Sequence, residues 1–396
     1  LVQIDPNTYQ DFVVYEKGRK VLYVEILRAV YGMLVASLLW YEKFRSDLEK
    51  EGFVFNDYDP CVANRIKRGK QHTIRFHVDD VMSSHVDPRV NDEFAEWLEK
   101  MYGQYKKVNP TRGKVHDYLG MVFDFSEPGT VIVDMKKYVE TMLSEFPEEI
   151  KSTAETPAGE SLLDTGKGKA LDAAKHKAYH TTVARGLFLC KRARPDIQPT
   201  IAVLSTRVKT PIETDWKKLV RMMKYLYGTK DKVLRLSADN LRVVKWYVDA
   251  SSAVHPDFRS HTGGVMTFGG GAVQAISKKQ KLNTRSSTEA ELVAADDAAT
   301  MILWTQAFMD GQGYRLDQNI LYQDNKSAIL LETNGRKSAG KRSRALNVRY
   351  FFLTDQVEKG NLSIEYCPTG MMWGDFMTRS EEHTSEPQSR QYLVCR

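Results

Sequence analysis

The sequence has little cysteine and no long hydrophobic run. Its four cysteines, Cys61, Cys190, Cys367 and Cys395, have neither the spacing of a metal site nor that of a disulfide framework, and this indicates a reducing compartment. The longest nearly apolar stretch, residues 30–41, is too short to cross a bilayer. No basic and then apolar leader opens the chain, so a signal peptide is not predicted. We therefore expect a globular protein with no membrane partner.

The sequence also lacks a strong excess of positive or negative charge. The 396 residues include 57 Lys+Arg and 51 Asp+Glu, which gives a net charge of +6. Hydrophobic residues make up 42% and charged residues 27% of the chain, and these globular values exclude a disordered chain, a collagen or a membrane bundle. The length predicts two or three domains. The mild basic excess is compatible with a polyanionic partner without requiring one.

The pattern of elements changes along the chain. Residues 1–150 alternate short β-rich runs with amphipathic helices, and residues 151–240 begin as a linker and continue as helices. From residue 241, three strands precede a long helix and then alternating strands and helices, which predicts a mixed sheet covered by helices. A triple glycine at 269–271 predicts a hairpin turn between two of these strands. Residues 380–396 lack periodicity and resemble a translated cloning sequence, although a polar disordered tail is the alternative.

Two adjacent acids, Asp79 and Asp80, form the first candidate site. They lie between two β-prone runs, 73–77 and 81–86, and are expected at the tip of a hairpin. Adjacent negative charges repel each other, and a bound divalent cation relieves that repulsion. On the dipeptide alone, a simple polar turn is the more common explanation.

The sequence around these acids supplies further motifs in a fixed order. They are LRAVYGM (27–33), LWYEKF (39–44), EGF (51–53), DYDPCV (57–62), HVDD (77–80), YLGM (118–121), TPA (156–158), RPDI (194–197) and YLYGT (225–229). In content and spacing this series resembles the reverse transcriptase of copia-type retrotransposons. The resemblance extends from about residue 21 to residue 379, which is nearly the whole chain.

The resemblance implies a polymerase palm in which three acids bind two Mg²⁺ ions. Asp79 and Asp80 match the paired acids, whereas the third belongs to a strand before residue 27. Asp5 and Asp11 lie in that region but lack the hydrophobic strand context. We therefore expect the fingers and the first palm strand to lie upstream of Leu1. Accordingly, RNA template and DNA primer are implied partners, but deoxynucleoside triphosphates are partners only if the missing acid is supplied.

A second group of acids is complete. The motifs are WYVDAS (246–251), SSTEAEL (286–292), LYQDNKSAI (321–329) and WGDFMT (373–378). They resemble the ribonuclease H part of the same polyproteins, and the resemblance implies a catalytic and metal-binding role for Asp249, Glu291, Asp324 and Asp375. Asp249 would bridge two Mg²⁺ ions, with Mn²⁺ as an alternative, while Glu291 and Asp324 would hold one ion and Asp375 the other.

The motif at 286–292 contains two glutamates. Ser286 followed by Glu289 has the spacing of a capping box, so Glu289 can reach back to the backbone at the helix start. Residues two positions apart point to different faces of a helix. We therefore favour Glu291 as the metal ligand and Glu289 as the cap.

Two basic segments, residues 277–285 and 336–349, adjoin these acids in sequence. Their side chains could neutralise the phosphates of an RNA–DNA hybrid, although solvated loops would look the same. The candidates for phosphate contacts are Lys278, Lys279, Lys281, Arg285, Lys341, Arg342 and Arg344. Recognition of RNA requires contacts to the 2′-hydroxyl, and the candidates for these are Asn283, Thr284 and Asn325.

The sequence thus predicts a multidomain chain of α/β and α+β class. A partial reverse transcriptase palm and thumb (1–150) precedes the linker and helical connection (151–240), a ribonuclease H-like five-stranded mixed sheet with flanking helices (241–379) and the tail (380–396). The expected protein is a fragment of a copia-type polyprotein whose nuclease cleaves the RNA strand of hybrids, in cytoplasmic virus-like particles or the nucleus, within a cycle that ends in DNA integration. The alternatives are a decayed element product that binds nucleic acid without cleaving it and a fragment that never folds stably.

Overall fold

The structure, a computed structural model, describes residues 6–25, 33, 35–104, 107–335 and 347–378. It divides into two compact units, one of residues 1–55 with 60–96 and one of residues 56–59 with 97–396. Within the described ranges, no helix combines the length and the apolar character needed to cross a membrane. Some sequence predictions lie outside the described residues, namely those for Asp5, the motif at 27–32, Lys341, Arg342, Arg344 and the tail at 380–396.

Among the first 102 residues, those that the structure describes form two small sheets and two longer helices. The elements are α1 (Pro6–Tyr9), β1 (Val13–Glu16), β2 (Arg19–Leu22), α2 (Ala36–Lys50), β3 (Val54–Asn56), β4 (Asp59–Lys67), β5 (Lys70–His77), β6 (Asp80–Ser84) and α3 (Pro88–Tyr102). β1 pairs with β2, and the other four strands form a sheet in the order β3-β4-β5-β6. The predicted hairpin around Asp79 is confirmed, because residues 73–77 of β5 pair antiparallel with residues 80–84 of β6.

The alternation of β5 explains why this sheet forms. His72, Ile74 and Phe76 are buried while the residues between them are partly exposed, which is the period-two pattern of a strand with one covered face. Phe44 of α2 packs edge-to-face on Phe76, with ring centroids 4.9 Å apart. Helix α2 therefore covers the apolar face of the hairpin.

The rest of the chain contains the remaining strands and most of the helices. The elements are β7 (Val115–Tyr118), β8 (Met121–Asp124), β9 (Thr130–Asp134), α4 (Lys136–Ser144), α5 (Ala173–Cys190), α6 (Gln198–Ser205), α7 (Glu213–Gly228), β10 (Leu234–Ala238), β11 (Val243–Ser251), β12 (His261–Thr267), β13 (Gly269–Gly270), β14 (Gln274–Lys279), α8 (Ser287–Gly311), β15 (Gln318–Gln323), α9 (Lys326–Asn334), α10 (Asn347–Glu358) and β16 (Ser363–Tyr366). These strands form two five-stranded sheets.

The first of these sheets has the order β13-β10-β9-β8-β7. Its core includes residues of α4, α5, α6 and α7, with Phe146 stacked on Trp216. Strand β10 was not predicted, and it pairs antiparallel with β9 and with the short β13. The prediction of a simple turn at 269–271 is therefore wrong in part, because Gly269 and Gly270 form a strand. A Cβ atom at Gly271 would lie 1.9 Å from the Arg235 carbonyl oxygen, so this strand pair excludes side chains there.

The second sheet has the order β14-β12-β11-β15-β16. β14, β12 and β11 pair antiparallel, whereas β11, β15 and β16 pair parallel. The predicted five-stranded mixed sheet is therefore confirmed. Alternate residues of β11, such as Trp246, are buried against a row of small residues on α8, so the long helix can approach the sheet closely.

Candidate metal centre

Asp249 lies near the end of the central strand β11 and is only 7% exposed. The strand pairs with β12 on one side and with β15 on the other, which fixes the backbone at this point. Across the antiparallel pair, Asp249 faces Gly263. The Thr378 hydroxyl donates a hydrogen bond of 2.6 Å to Asp249 Oδ2. A strand end thus presents an oriented carboxylate in a buried environment.

The two glutamates of α8 have different surroundings. The Ser286 side chain accepts a hydrogen bond from the Glu289 amide, and the Glu289 carboxylate accepts one of 2.6 Å from the Arg285 amide. Glu289 therefore caps the helix. Glu291, two positions later, is 5% exposed and points towards the sheet edge where Asp249 lies.

Asp324 follows the last residue of β15 and is partly exposed. β11 and β15 run parallel, so their carboxyl ends meet at the same edge of the sheet and bring Asp324 near Asp249. The Thr369 hydroxyl donates a hydrogen bond of 2.8 Å to Asp324 Oδ2. Each of the two aspartates at this edge therefore has a threonine that orients it.

Asp249, Glu291 and Asp324 form one cluster. Each offers a carboxylate oxygen, and these oxygens lie within 4.8 Å of one another. Burial, together with the charges of Asp249 and Asp324, raises the pKa of Glu291 to about 10, although the Ala250 amide partly opposes this. Glu291 Oε2 is buried without a hydrogen-bond partner. Three crowded hard oxygen donors, one of them unsatisfied, fit a divalent cation such as Mg²⁺.

Asp375 does not belong to this cluster. It lies in the 3₁₀ helix Trp373–Met377 and is partly buried. The segment nevertheless contacts β11 closely, since a Cβ atom at Gly374 would lie 2.8 Å from the Tyr247 carbonyl oxygen and 3.1 Å from the Asp249 nitrogen. The structure thus brings three of the four predicted acids together and places the fourth in a segment packed against Asp249.

Asp79 and Asp80 have a different environment. Both are exposed at the β5–β6 turn, where Val78 adopts a positive φ of 56° and its carbonyl accepts a 2.6 Å hydrogen bond from Trp40 Nε1. In the part of the chain that the structure describes, no third acid joins them in a metal-binding group. Asp11 lies in an exposed 3₁₀ turn. The paired acids are therefore presented to solvent.

The lysines of the 277–285 segment are partly neutralised. Lys278 Nζ lies 3.1 Å from Asp297, and Lys279 Nζ lies 2.6 Å from Asp257. Lys278, Lys281, Asn283 and Arg285 are the exposed residues of the segment among those predicted to bind nucleic acid. Of the four basic residues predicted in this described segment, Lys278 and Lys279 are therefore paired with an aspartate.

Two of the residues predicted to contact the 2′-hydroxyl of RNA make hydrogen bonds within the protein. The Thr284 hydroxyl lies 2.7 Å from the Ser260 hydroxyl. Asn325 caps α9, because its Oδ1 accepts hydrogen bonds from the amides of Ser327 and Ala328. A 2′-hydroxyl contact by Asn325 would therefore have to use another atom than this oxygen.

Sequence reasoning missed two residues beside the cluster. One is Thr378, whose motif was noted only for Asp375. The other is Glu332 of α9, which is fully buried, and burial raises its pKa to about 8. Gln323 Nε2 donates to Glu332 Oε1 at 3.2 Å. The only signal for Glu332 was an acid within an otherwise apolar helix segment.

Several known proteins are similar to this chain in sequence. No family model matches the chain. The Pol polyprotein of transposon TNT 1-94 from Nicotiana tabacum is 27% identical over 371 residues, which are 91% of this chain and 27% of that protein. A putative transposon Ty5-1 protein from Saccharomyces cerevisiae is 28% identical over 282 residues, 70% of this chain and 89% of the relative. The transposon RE1 Pol polyprotein from Arabidopsis thaliana is 25% identical over 376 residues, 93% of this chain and 25% of its own length.

Solved structures were also similar. A ribonuclease H1 isolated from compost matches 34% of this chain and 92% of its own chain, at 16% identity and a TM-score of 0.27. The prototype foamy virus protease-reverse transcriptase matches 92% of this chain and 41% of its own, at 16% identity and a TM-score of 0.25.

These three relatives are proteins of transposable elements. The chain is similar to retrotransposon Pol polyproteins at 25–28% identity, and the resemblance predicted from the motifs is confirmed at that level. It spans about a quarter of the length of the tobacco and Arabidopsis polyproteins.

Proposed function

We propose that the segment from residue 241 to residue 379 is a metal-dependent nuclease that cleaves the RNA strand of RNA–DNA hybrids. The observation that carries this proposal is the cluster of Asp249, Glu291 and Asp324, whose oxygens lie within 4.8 Å of one another. Such a cluster would be unfavourable as a purely structural feature, because buried like charges repel without a cation. The ribonuclease H-like order of the four motifs supports the same conclusion.

The three acids of the cluster would have different roles, because they differ in burial. Asp249 and Glu291, both nearly inaccessible, would hold a cation from the protein side, whereas the more exposed Asp324 lies where a substrate could approach. Asp375 would contribute to a second ion. Mg²⁺, when bound, supplies a Lewis acid that activates a water molecule and stabilises the leaving oxygen.

Binding of the hybrid would rely on the phosphate backbone. Exposed Lys281 and Arg285 could contact phosphates without reading sequence, so affinity would fall with increasing salt. Lys278 and Lys279 would add less, because Asp297 and Asp257 already neutralise them. Asn283 and Thr284 stay the candidates for contacts with the 2′-hydroxyl.

The remaining parts of the prediction follow from the relatives. We assign residues 1–150 to a partial reverse transcriptase and 151–240 to its connection with the nuclease, in a copia-type element whose proteins act in a particle. Among the described residues, Asp79 and Asp80 lack a third acid. We therefore propose no polymerase activity for this chain alone.

The test is cleavage of a labelled RNA–DNA hybrid with and without Mg²⁺, comparing the chain with Asp249→Asn. Outer-sphere partners of a metal typically contribute about 10- to 100-fold, so loss of a ligand should reduce cleavage by at least about 100-fold. Glu289→Gln is the matched control, since Glu289 caps the same helix without joining the cluster, and it should cleave within about 3-fold of the unchanged chain.

Two outcomes would contradict the proposal. Equal cleavage by the unchanged chain and Asp249→Asn would show that the assigned acids are wrong. Salt-sensitive binding of the hybrid with no cleavage by any form would instead support the alternative of a decayed, binding-only product.

A further inference from the structure

The hydroxyl of Thr378 lies between two of the proposed metal-site acids. Thr378 is 5% exposed, and its Oγ1 lies 2.6 Å from Asp249 Oδ2 and 3.0 Å from the Asp375 carbonyl oxygen. The Thr378 amide already donates to that carbonyl at 3.2 Å. A hydroxyl has one proton to donate, and a carboxylate is the stronger acceptor. The proton therefore goes to Asp249.

The segment that carries Thr378 is held against the sheet by stacked rings. Trp373 stacks on Tyr247 with centroids 5.1 Å apart, and Tyr247 stacks on Tyr322 at 5.0 Å. Tyr247 and Tyr322 each precede an acid of the cluster, Asp249 or Asp324, by two residues. Offset stacking of large rings favours one arrangement, so the stack fixes the segment relative to both strands.

A buried hydrogen-bond chain holds the other end of the segment. The Ser277 hydroxyl donates to the Met377 carbonyl oxygen at 2.9 Å, and it lies 2.8 Å from His261 Nε2. His261 Nδ1 lies 3.0 Å from His255 Nε2. One set of neutral tautomers satisfies the whole chain, with His255 donating to His261 and His261 donating to Ser277. Burial lowers the pKa of both histidines, which is consistent with neutral rings.

We propose that Thr378 is a positioning residue of the metal centre, whose hydroxyl fixes the carboxylate of Asp249 while its backbone keeps Asp375 beside it. Because Oδ2 is held by the hydroxyl, the Asp249 carboxylate cannot rotate freely, and less conformational freedom is lost when a cation binds. The proposal rests on the proposed function, in that it assumes a cation bound by the acid cluster.

The test compares Thr378→Val with Thr378→Ser in the full chain. Valine has nearly the shape of threonine but no hydroxyl, whereas serine keeps the donor. Mn²⁺ binding is measured by calorimetry without nucleic acid, and cleavage is measured as a function of Mg²⁺ concentration. By analogy with other outer-sphere partners, Thr378→Val should raise the dissociation constant for Mn²⁺ by about 10-fold. The dissociation constant of Thr378→Ser should stay within about 3-fold of that of the unchanged chain.

A positioning role also predicts where the loss appears. Thr378→Val should require more Mg²⁺ for half-maximal cleavage but recover most of the maximal rate at saturating Mg²⁺. Thr333→Val is the matched control, because the Thr333 hydroxyl donates to the Ile329 carbonyl oxygen of its own helix at 2.7 Å. It should not change Mn²⁺ binding. Thermal melting without metal checks that every variant folds.

The outcomes separate this inference from the proposed function. If Asp249→Asn binds Mn²⁺ as tightly as the unchanged chain, the metal centre itself is wrong. If Asp249→Asn loses binding but Thr378→Val and Thr378→Ser bind equally well, only the positioning role is overturned. A loss in Thr378→Val that persists at saturating Mg²⁺ would also overturn it, since that result indicates a structural defect.

Discussion

Asp196 and Glu291 are both buried acids of the larger unit, but among the residues that the structure describes only Asp196 is paired with a cationic side chain. Asp196 accepts hydrogen bonds from Arg194 Nε at 2.9 Å and from the Tyr225 hydroxyl at 2.7 Å. Glu291 has other carboxylates as neighbours, and one of its oxygens has no hydrogen-bond partner. The chain thus neutralises one buried acid and leaves the other in an acidic cluster.

The difference appears in the acidity of the two groups. Burial alone would raise the pKa of Asp196, but the Arg194 guanidinium outweighs it and holds that pKa below its usual value. Burial and neighbouring charges instead raise the pKa of Glu291 to about 10. A buried acid whose charged form is destabilised by its surroundings indicates selection for a function other than stability. The comparison therefore separates a structural ion pair from a candidate functional site.

The largest expected effect is on the structural pair. Arg194→Met leaves Asp196 buried without its cation, and breaking a buried pair in this way typically costs about 3–5 kcal/mol. We expect a loss of that size in the free energy of unfolding, measured by urea titration. Arg185→Met is the control, since Arg185 pairs with Glu145 at the surface, and such pairs contribute less than about 1 kcal/mol. Equal losses in both variants would contradict the distinction.

Glu291→Gln is expected to increase the free energy of unfolding in metal-free buffer, in contrast to Arg194→Met. The folded-state pKa of Glu291 lies near 10 and its ordinary value is 4.5, so between these pH values the folded state binds more protons than the unfolded state. Stability of the metal-free protein should therefore fall as pH rises through this window. Glutamine removes that contribution, so Glu291→Gln should be more stable than the unchanged chain at pH 8, by on the order of 2 kcal/mol.

Two further measurements sharpen this prediction. The advantage of Glu291→Gln should disappear near pH 4, where the carboxyl is protonated in both states. Excess Mg²⁺ should reverse the order at pH 8, because a ligand at 100 times its dissociation constant stabilises the folded state by about 2.7 kcal/mol. An advantage that does not change with pH or with Mg²⁺ would mean that Glu291 is an ordinary packing residue.

Features of the fold and of the candidate site that depend on a local sequence pattern could be predicted. The alternation in β11 and the capping motif at Ser286 predicted the strand, the long helix and the difference between Glu289 and Glu291. The parallel pairing of β11 with β15 explains why Asp249 and Asp324 meet, and motif order alone anticipated it.

What the sequence could not give depends on contacts between distant segments. β10 pairs with β9 across about 100 residues, and its short run Leu234–Ala238 carries no distinctive pattern. The bond from Thr378 to Asp249 spans 129 residues. A threonine hydroxyl has no sequence signature for its acceptor, so neither its role nor the burial of Glu332 could be deduced.

The smallest effect is expected at the exposed acids of the hairpin tip. Asp79 and Asp80 face solvent, where water screens their repulsion. Asp79→Asn and Asp80→Asn should therefore leave the unfolding free energy unchanged within error, and Mg²⁺ should stabilise both variants as much as the unchanged chain. Asp249→Asn, measured in the same melting experiment, should lose that stabilisation. If instead Asp79→Asn abolished it, the hairpin tip would be the cation site, because only a group that binds the ion can transmit its concentration to the folding equilibrium.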